Sequence, residues 1–187
     1  GEFFEALNWA SRERLPVVFV VQNNGYAISV PQSTQTGAQL GDIARGLRIR
    51  SLEVDGTRFS EMYTKLKPLV KEMRRNRAPL FVEGHVVRLD SHSSSDDQLK
   101  YRSQDELESV RRRDPLTHTE MQLLEMGLIT EAQKQSMHER IRAEVDAAAE
   151  AADQHPFPDA SKVMEHIYSG YQPVIEERAP RTITDAP

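Results

Sequence analysis

Val17 to Val21 reads VVFVV and stops at Gln22-Asn23-Asn24-Gly25. A short run of β-branched and aromatic residues bounded by turn formers is the mark of a buried strand. A strand apolar on both faces belongs to a parallel sheet covered by helices. Such sheets bind ligands just beyond the carboxyl ends of their strands. Asn23, Asn24, Gly25 and Tyr26 therefore stand where an α/β protein carries its chemistry. Asn-Asn-Gly by itself is also an ordinary turn.

The flanking segments supply the rest of an α/β pattern. Phe3 to Arg14 is predicted helical, with Phe3, Phe4, Leu7 and Ala10 on one face and Arg12, Arg14 and Pro16 marking its end. Val30 to Gly41 reads as loop, Leu40 to Leu47 as a short helix, and Ser51 to Val54 as a strand ended by Asp55-Gly56. Phe59, Met62, Tyr63, Leu66, Leu69, Val70 and Met73 recur at helical spacing. That stripe reads as core and not as a cofactor surface. Pro68 lies inside it and predicts a kink unless the helix is in two pieces. Pro79 to Val87 is the next strand. Strands alternating with helices of these lengths imply right-handed βαβ units.

Arg88 to Tyr101 has no apolar periodicity and reads as a long exposed loop. Ser103 to Glu106 has capping-box spacing, Asp114-Pro115 is a helix start, and Thr130 to Gln133 repeats the capping pattern before a helix through Ala152. Met137, Ile141, Val145, Ala148 and Ala152 form the narrow apolar stripe of that helix, which Pro156 and Pro158 stop. From Tyr171 the chain is rich in Pro and Glu and reads as a tail or linker.

Composition excludes several function classes. The net charge of −5 provides no basic field for nucleic acid. The absence of cysteine excludes disulfides, Cys-ligated zinc and thiol catalysis. No apolar run approaches the ~20 residues of a membrane helix. At 38% hydrophobic, the 187 residues can support one core, on the polar side for a globular chain.

FFEALNWASRERLPVVFVVQNNGYAISVP resembles the second half of the thiamine-diphosphate motif. It is most similar to the α subunit of the decarboxylating component of 2-oxoacid dehydrogenase complexes. In the family the motif opens with Gly-Asp-Gly and closes with Asn-Asn. Gly1 to Asn8 matches the segment after that opening, and the Gly-Asp-Gly itself is absent. The resemblance runs from Gly1 to about Gln154. It implies the C-terminal part of a longer subunit, with residues 1–103 the end of a thiamine-diphosphate-binding α/β domain. A parallel sheet flanked by helices, a helical extension over 104–170 and a tail over 171–187 would complete it. It also implies that Asn24 offers a side-chain oxygen and Tyr26 a backbone carbonyl to Mg²⁺, an ion that takes about six oxygens. Gln22, Ile28 and Ser29 match positions that touch the cofactor. Asn23 is read as a turn former, and Gly25 as the residue that lets the backbone bend.

A second motif follows in order. RLDSHSSSDDQLKYRS, Arg88 to Ser103, resembles the family's active-site loop. The match makes His92 the catalytic histidine, suited to proton transfer near neutrality. Many relatives carry a further histidine near this one, where Asp90-Ser91 stands here. Ser93 matches a position that is phosphorylated in some animal relatives, and phosphate there would repel an anionic cofactor. Asp96, Asp97, Tyr101 and Arg102 are expected to hold the loop. His85, His118, His138, His155 and His166 match no chemical role.

The resemblance implies oxidative decarboxylation of a 2-oxoacid, with transfer of the acyl group to a lipoyl group of a dihydrolipoyl acyltransferase. It further implies a β subunit or fused β domain across the cofactor, in a heterotetramer. The location would be cytoplasmic in a bacterium and the mitochondrial matrix in a eukaryote. NNGYAISVP with HSSSDD is closer to the branched-chain (2-oxoisovalerate) class than to the pyruvate class. A pyruvate dehydrogenase α subunit, a non-catalytic α/β scaffold and a thiamine enzyme of the transketolase or sulfopyruvate decarboxylase type are the alternatives. The His92 loop with Tyr101-Arg102 argues against the last of these.

Overall fold

The computed structural model describes residues 1–163, 165 and 167. The expected tail from Tyr171, and His166, lie outside the described residues. By its contacts the chain falls into two compact units, 1–134 and 135–187.

The first unit is built on three parallel strands, β1 (Val18–Asn23), β4 (Arg50–Asp55) and β5 (Leu80–His85), in the order β1-β5-β4. The register is unbroken. Val18 lies opposite Leu80 and Asn23 opposite His85 on one side of β5, and Arg50 and Asp55 lie opposite the same two residues on the other. All three strands therefore end at one edge of the sheet. Helix α1 (Glu2–Arg12) precedes β1, α2 (Leu40–Gly46) precedes β4, and α3 (Phe59–Asn76) links β4 to β5. The last link is the parallel crossover that the strand-helix-strand pattern predicts. A two-stranded antiparallel ribbon, β2 (Tyr26–Ala27) with β3 (Val30–Pro31), follows β1, and its second strand takes up the start of Val30 to Gly41, the segment that reads as loop in the sequence.

Alternation along β5 divides the core. Phe81 packs with Leu7 of α1, Ala44 of α2, Ile49, Phe19 and Val21 on one face. Leu80 and Val82 pack with Val54, Leu52, Val18 and the α3 side chains Met62, Leu66, Leu69, Val70 and Met73 on the other. Successive strand residues face opposite ways, so a central strand must be apolar on both.

Two sequence readings need correction here. β1 is not buried on both faces, because α3 lies over β4 and β5 and leaves Val20 57% exposed. The α3 stripe is broader than the core it serves: Phe59 and Tyr63 are 63% and 52% exposed, with their rings stacked at 6.1 Å. They belong to an open apolar face with Met62, Leu66 and Val70, rimmed by Lys67, Lys71 and Arg74. Pro68 sits inside α3, which is a single helix and not two.

The helix starts form as their caps require. Ser103 accepts a hydrogen bond from the Glu106 amide and opens α4 (Gln104–Arg111). Asp114 accepts from the Leu116 amide and opens α5 (Pro115–Glu125). Thr130 and Gln133 cap each other at the start of α6 (Glu131–Gln154), the amide of each donating to the side chain of the other. Each such cap contributes about 1 kcal/mol. The second unit consists, where described, of most of α6 and a 3-10 turn at Ala160–Lys162. The Met137, Ile141 and Val145 stripe of α6 is exposed. Among the described residues no helix is long and apolar enough to cross a membrane.

Phe81 has no solvent exposure and joins α1 and α2 to the sheet. Phe81→Ala is expected to lower the unfolding free energy by about 3–5 kcal/mol in a urea titration. A loss under about 1 kcal/mol would mean that this face of the sheet does not hold the fold.

Candidate active-site cleft

Every candidate residue lies at or beyond the edge where the three strands end. β1 runs directly into the Asn pair, and the Val86 amide extends the β1–β5 ladder by donating to the Asn23 carbonyl at 2.9 Å. Asn23 and Asn24 each turn the chain with their own side chains. Asn23 Oδ1 accepts from the Gly25 amide at 2.9 Å, and Asn24 Oδ1 from the Tyr26 amide at 3.0 Å. At the overlap of these two turns Gly25 has φ +78°, a left-handed conformation that glycine adopts without steric cost.

The loop walls a cleft of about 390 Å³, lined by Gln22, Asn23, Asn24, Tyr26, Gln32 and Gln35 among others. That volume is within the range of small-molecule sites. Its polar groups are neutral amides and hydroxyls. Among the described residues no group of three or more His, Cys, Asp or Glu side chains is arranged to hold a metal ion. Tyr26 and Pro31 form a non-hydrogen-bonded pair of the β2–β3 ribbon, next to the pair in which the Gln32 amide donates to the Gly25 carbonyl, so the Tyr26 carbonyl points out of the ribbon. A second recess, of about 270 Å³, lies between the start of α3 and α5 and includes Arg58, His118 and Gln122. It contains none of the residues that the motifs single out.

Gln22, Asn24 and Tyr26 thus come together on one cleft. Ile28 and Ser29 do not line it; they form the exposed tip of the ribbon. Ile28 has φ +57°, which strains a β-branched side chain. A charged group holds it there: Arg88 donates from one terminal nitrogen to the Ile28 carbonyl at 2.7 Å. Its other terminal nitrogen donates to the Tyr101 hydroxyl at 2.6 Å. Tyr101 in turn donates to Asp96 Oδ2 at 2.6 Å, and the His92 amide donates to the same oxygen at 2.8 Å. The loop after β5 is therefore tied to the loop after β1 by an unbroken chain, from Ile28 through Arg88, Tyr101 and Asp96 to His92.

A second tie runs beside the first. Tyr26 donates its hydroxyl to Glu106 at 3.0 Å, and the Arg102 Nε donates to the same Glu106 oxygen at 2.8 Å. Arg102, 5% exposed, also donates to the Arg88 carbonyl and to Gln98 Oε1. The guanidinium groups of Arg102 and Arg88 stand 5.1 and 5.7 Å from the Tyr26 ring centroid, within cation–π range. Asp97 caps the 3-10 turn Gln98–Lys100 through the Leu99 amide. The Ser93 hydroxyl is exposed and lies 3.2 Å from that of Ser95.

The ties displace three ionisations. The Tyr101 hydroxyl and the His92 amide hold the Asp96 carboxyl below its ordinary range. Burial, then the bond to Asp96, raises the Tyr101 phenol. Burial, then Glu106, raises that of Tyr26.

Residues 1–161 match the family model described as "Dehydrogenase E1 component". This chain belongs to the dehydrogenase E1 component family. It is 34% identical over 170 residues to the 2-oxoisovalerate dehydrogenase subunit alpha of Bacillus subtilis (strain 168), covering 90% of this chain and 52% of that relative. It is 33% identical over 176 residues to the pyruvate dehydrogenase E1 component subunit alpha of Rickettsia conorii, with the same coverage. The corresponding protein of Staphylococcus aureus (strain Mu50) is 32% identical over 170 residues, 46% of its length. The chain spans about half the length of the curated relatives it matches.

In this E1-family chain, the residues that motif reading passed over are Arg88, Glu106 and Glu83. Arg88 directly follows the strand expected over Pro79 to Val87, which ends at His85 in the structure, and Glu106 occupies the third position after the Ser103 cap, so both had a weak local signal. Glu83 lies in the middle of an apolar strand and had none.

Two outcomes are expected. Arg88→Met removes both bonds and should cost the loops on the order of 2–4 kcal/mol. Hydrogen exchange should rise in residues 26–31 and 92–102 but not in β5, and uniform protection would refute the tie. Asp96, with its ionisation lowered, contributes order that is complete above the ordinary aspartate value of about 3.9 and is lost as pH falls through its lower folded value. Proteolysis within the His92 loop should therefore stay slow down to about pH 4 and accelerate only below it. Asp96→Asn should raise the rate at neutral pH as well.

Proposed function

We propose that this chain provides the α-side half of a thiamine-diphosphate and Mg²⁺ site in a 2-oxoacid dehydrogenase, acting on a branched-chain 2-oxoacid. The observation that carries the reading is the cleft itself. In an E1-family chain, a glycine-hinged Asn loop at the carboxyl ends of parallel strands is tied through Arg88 to the loop that bears His92.

The donor set suits such a site. Mg²⁺ bound to a diphosphate takes most of its oxygens from phosphate and water and few from protein. Asn24 Oδ1 keeps a lone pair after accepting the Tyr26 amide, and the Tyr26 carbonyl points out of the ribbon. These two oxygens would hold the ion. Gln22 would bear on the cofactor from the cleft, and Ile28 and Ser29 only from the exposed ribbon tip beside it, where Arg88 keeps Ile28 in place. When bound, thiamine diphosphate supplies the nucleophilic carbon and the electron sink for decarboxylation.

His92 would hold or move a proton at its imidazole beside the 2-oxoacid. Its backbone amide is anchored on Asp96, so its position depends on Tyr101 and Arg88. Asp97, Tyr101 and Arg102 keep the loop ordered. Phosphate on Ser93 would place about −1.5 to −2 charge next to Asp96 and an anionic cofactor. A β subunit or fused β domain would close the cofactor from the other side, and a lipoyl-bearing acyltransferase would accept the acyl group. The similar identities to 2-oxoisovalerate and pyruvate enzymes keep pyruvate as a second substrate reading.

The test is decarboxylation by the complete enzyme, β portion included, with 3-methyl-2-oxobutanoate and pyruvate side by side and an artificial electron acceptor. The branched acid is expected to be preferred. His92→Ala is expected to lower kcat by about 10²–10⁴-fold. Asn24→Ala should abolish Mg²⁺-dependent cofactor binding. Preference for pyruvate would overturn the substrate, and no Mg²⁺-dependent cofactor binding, or binding indifferent to Asn24→Ala, would favour a non-catalytic scaffold.

A further inference from the structure

Glu83 is the anomaly in the core. It occupies the central strand and is 1% exposed, beside Phe81 and Val82, which have no exposure. Burying a carboxyl group costs several kcal/mol unless hydrogen bonds compensate. Glu83 makes one: its Oε1 accepts from Asn23 Nδ2 at 2.6 Å, while its Oε2 has no partner. An apolar residue would fill the same place at lower cost, so the fold alone does not call for a carboxyl group here.

The acceptor reaches the site through Asn23. Asn23 Nδ2 is held by Glu83, its Oδ1 takes the Gly25 amide, and its carbonyl takes the Val86 amide. Gly25 is then held at its other end, where its carbonyl accepts from the Gln32 amide at 2.8 Å. Without Glu83, the Asn23 amide could rotate about its side chain and release Gly25. Glu83 is absent from the lining of the cleft.

We propose that Glu83 is a positioning residue: through Asn23 and the Gly25 amide it sets the loop that presents Asn24 Oδ1 and the Tyr26 carbonyl to the cleft. The inference rests on the reading of those two oxygens as ligands of a cofactor-bound ion, but its geometry can be tested without any ligand.

The test exchanges donor and acceptor. Asn23→Asp keeps the oxygen for the Gly25 amide but sets one carboxyl group against another. The two hold together only while the pair shares a proton, so each variant is compared with the parent at a pH high enough to ionise both. Glu83→Gln keeps an oxygen for Asn23 and turns its NH₂ toward the side where Oε2 has no donor. In the double variant the new NH₂ at position 83 can donate to the new carboxylate at position 23, so the bond forms again in the opposite sense. Hydrogen exchange at the Gly25 amide, followed by NMR in the full chain, reads the loop directly. Asn23→Asp should raise that rate at least about tenfold, Glu83→Gln should change it less than about threefold, and the double variant should return to within about threefold of the parent, a tenfold change being about 1.4 kcal/mol.

In the complete enzyme the apparent dissociation constant for thiamine diphosphate at fixed Mg²⁺ should follow the same order. kcat at saturating cofactor should change far less. A double variant no better than Asn23→Asp, or an Asn23→Asp that leaves Gly25 protected, would overturn the proposal. If Gly25 responds as expected while the parent enzyme binds no thiamine diphosphate, the relay stands and the functional reading falls.

Discussion

The parallel ladder between β1 and β5 is the constraint on which the site depends. Its register sets Asn23 level with His85, and the Val86 amide carries the pairing one residue further. Because β4 is in register on the other side of β5, three chain exits emerge at one edge. Two segments 60 positions apart thereby become neighbours. A slip of one residue would send Glu83 and Asn23 to opposite faces and break their hydrogen bond.

Charge completes what the ladder begins. The Arg88 guanidinium links a strained carbonyl at Ile28 to a phenol that holds Asp96, and its Nε stays buried without a partner. Arg102, nearly enclosed, closes the back of the same loop through Glu106 and Gln98. Planar guanidinium groups suit this work, since their fixed fork can hold two acceptors at once and still lie against a ring. Strain at Ile28 persists because the bonds around it over-determine the turn.

Much of this was legible along the chain. The run into Gln22-Asn23-Asn24 marked both a strand and the end at which the cleft opens. The caps at Ser103, Asp114 and Thr130 were readable because capping is local, with donor and acceptor within three residues. Asn24, Tyr26 and His92 came from motif resemblance. Phe59 and Tyr63 misled because helical periodicity identifies an apolar face without saying whether anything covers it. Val20 misled in the same way, since an apolar run does not reveal how far a covering helix extends.

The sequence by itself determined the local matters: where strands and helices begin, where turns fall, and which short motifs carry oxygen and imidazole groups. These depend on φ/ψ preference, side-chain period and contacts across a few residues. Only the tertiary structure decided that Arg88 would hold Ile28, that Tyr26 would meet Glu106, and that a buried Glu83 would grip Asn23. Those pairings join residues 60 to 80 positions apart. They exist because the sheet register places the partners within hydrogen-bond reach, and no local rule encodes a register.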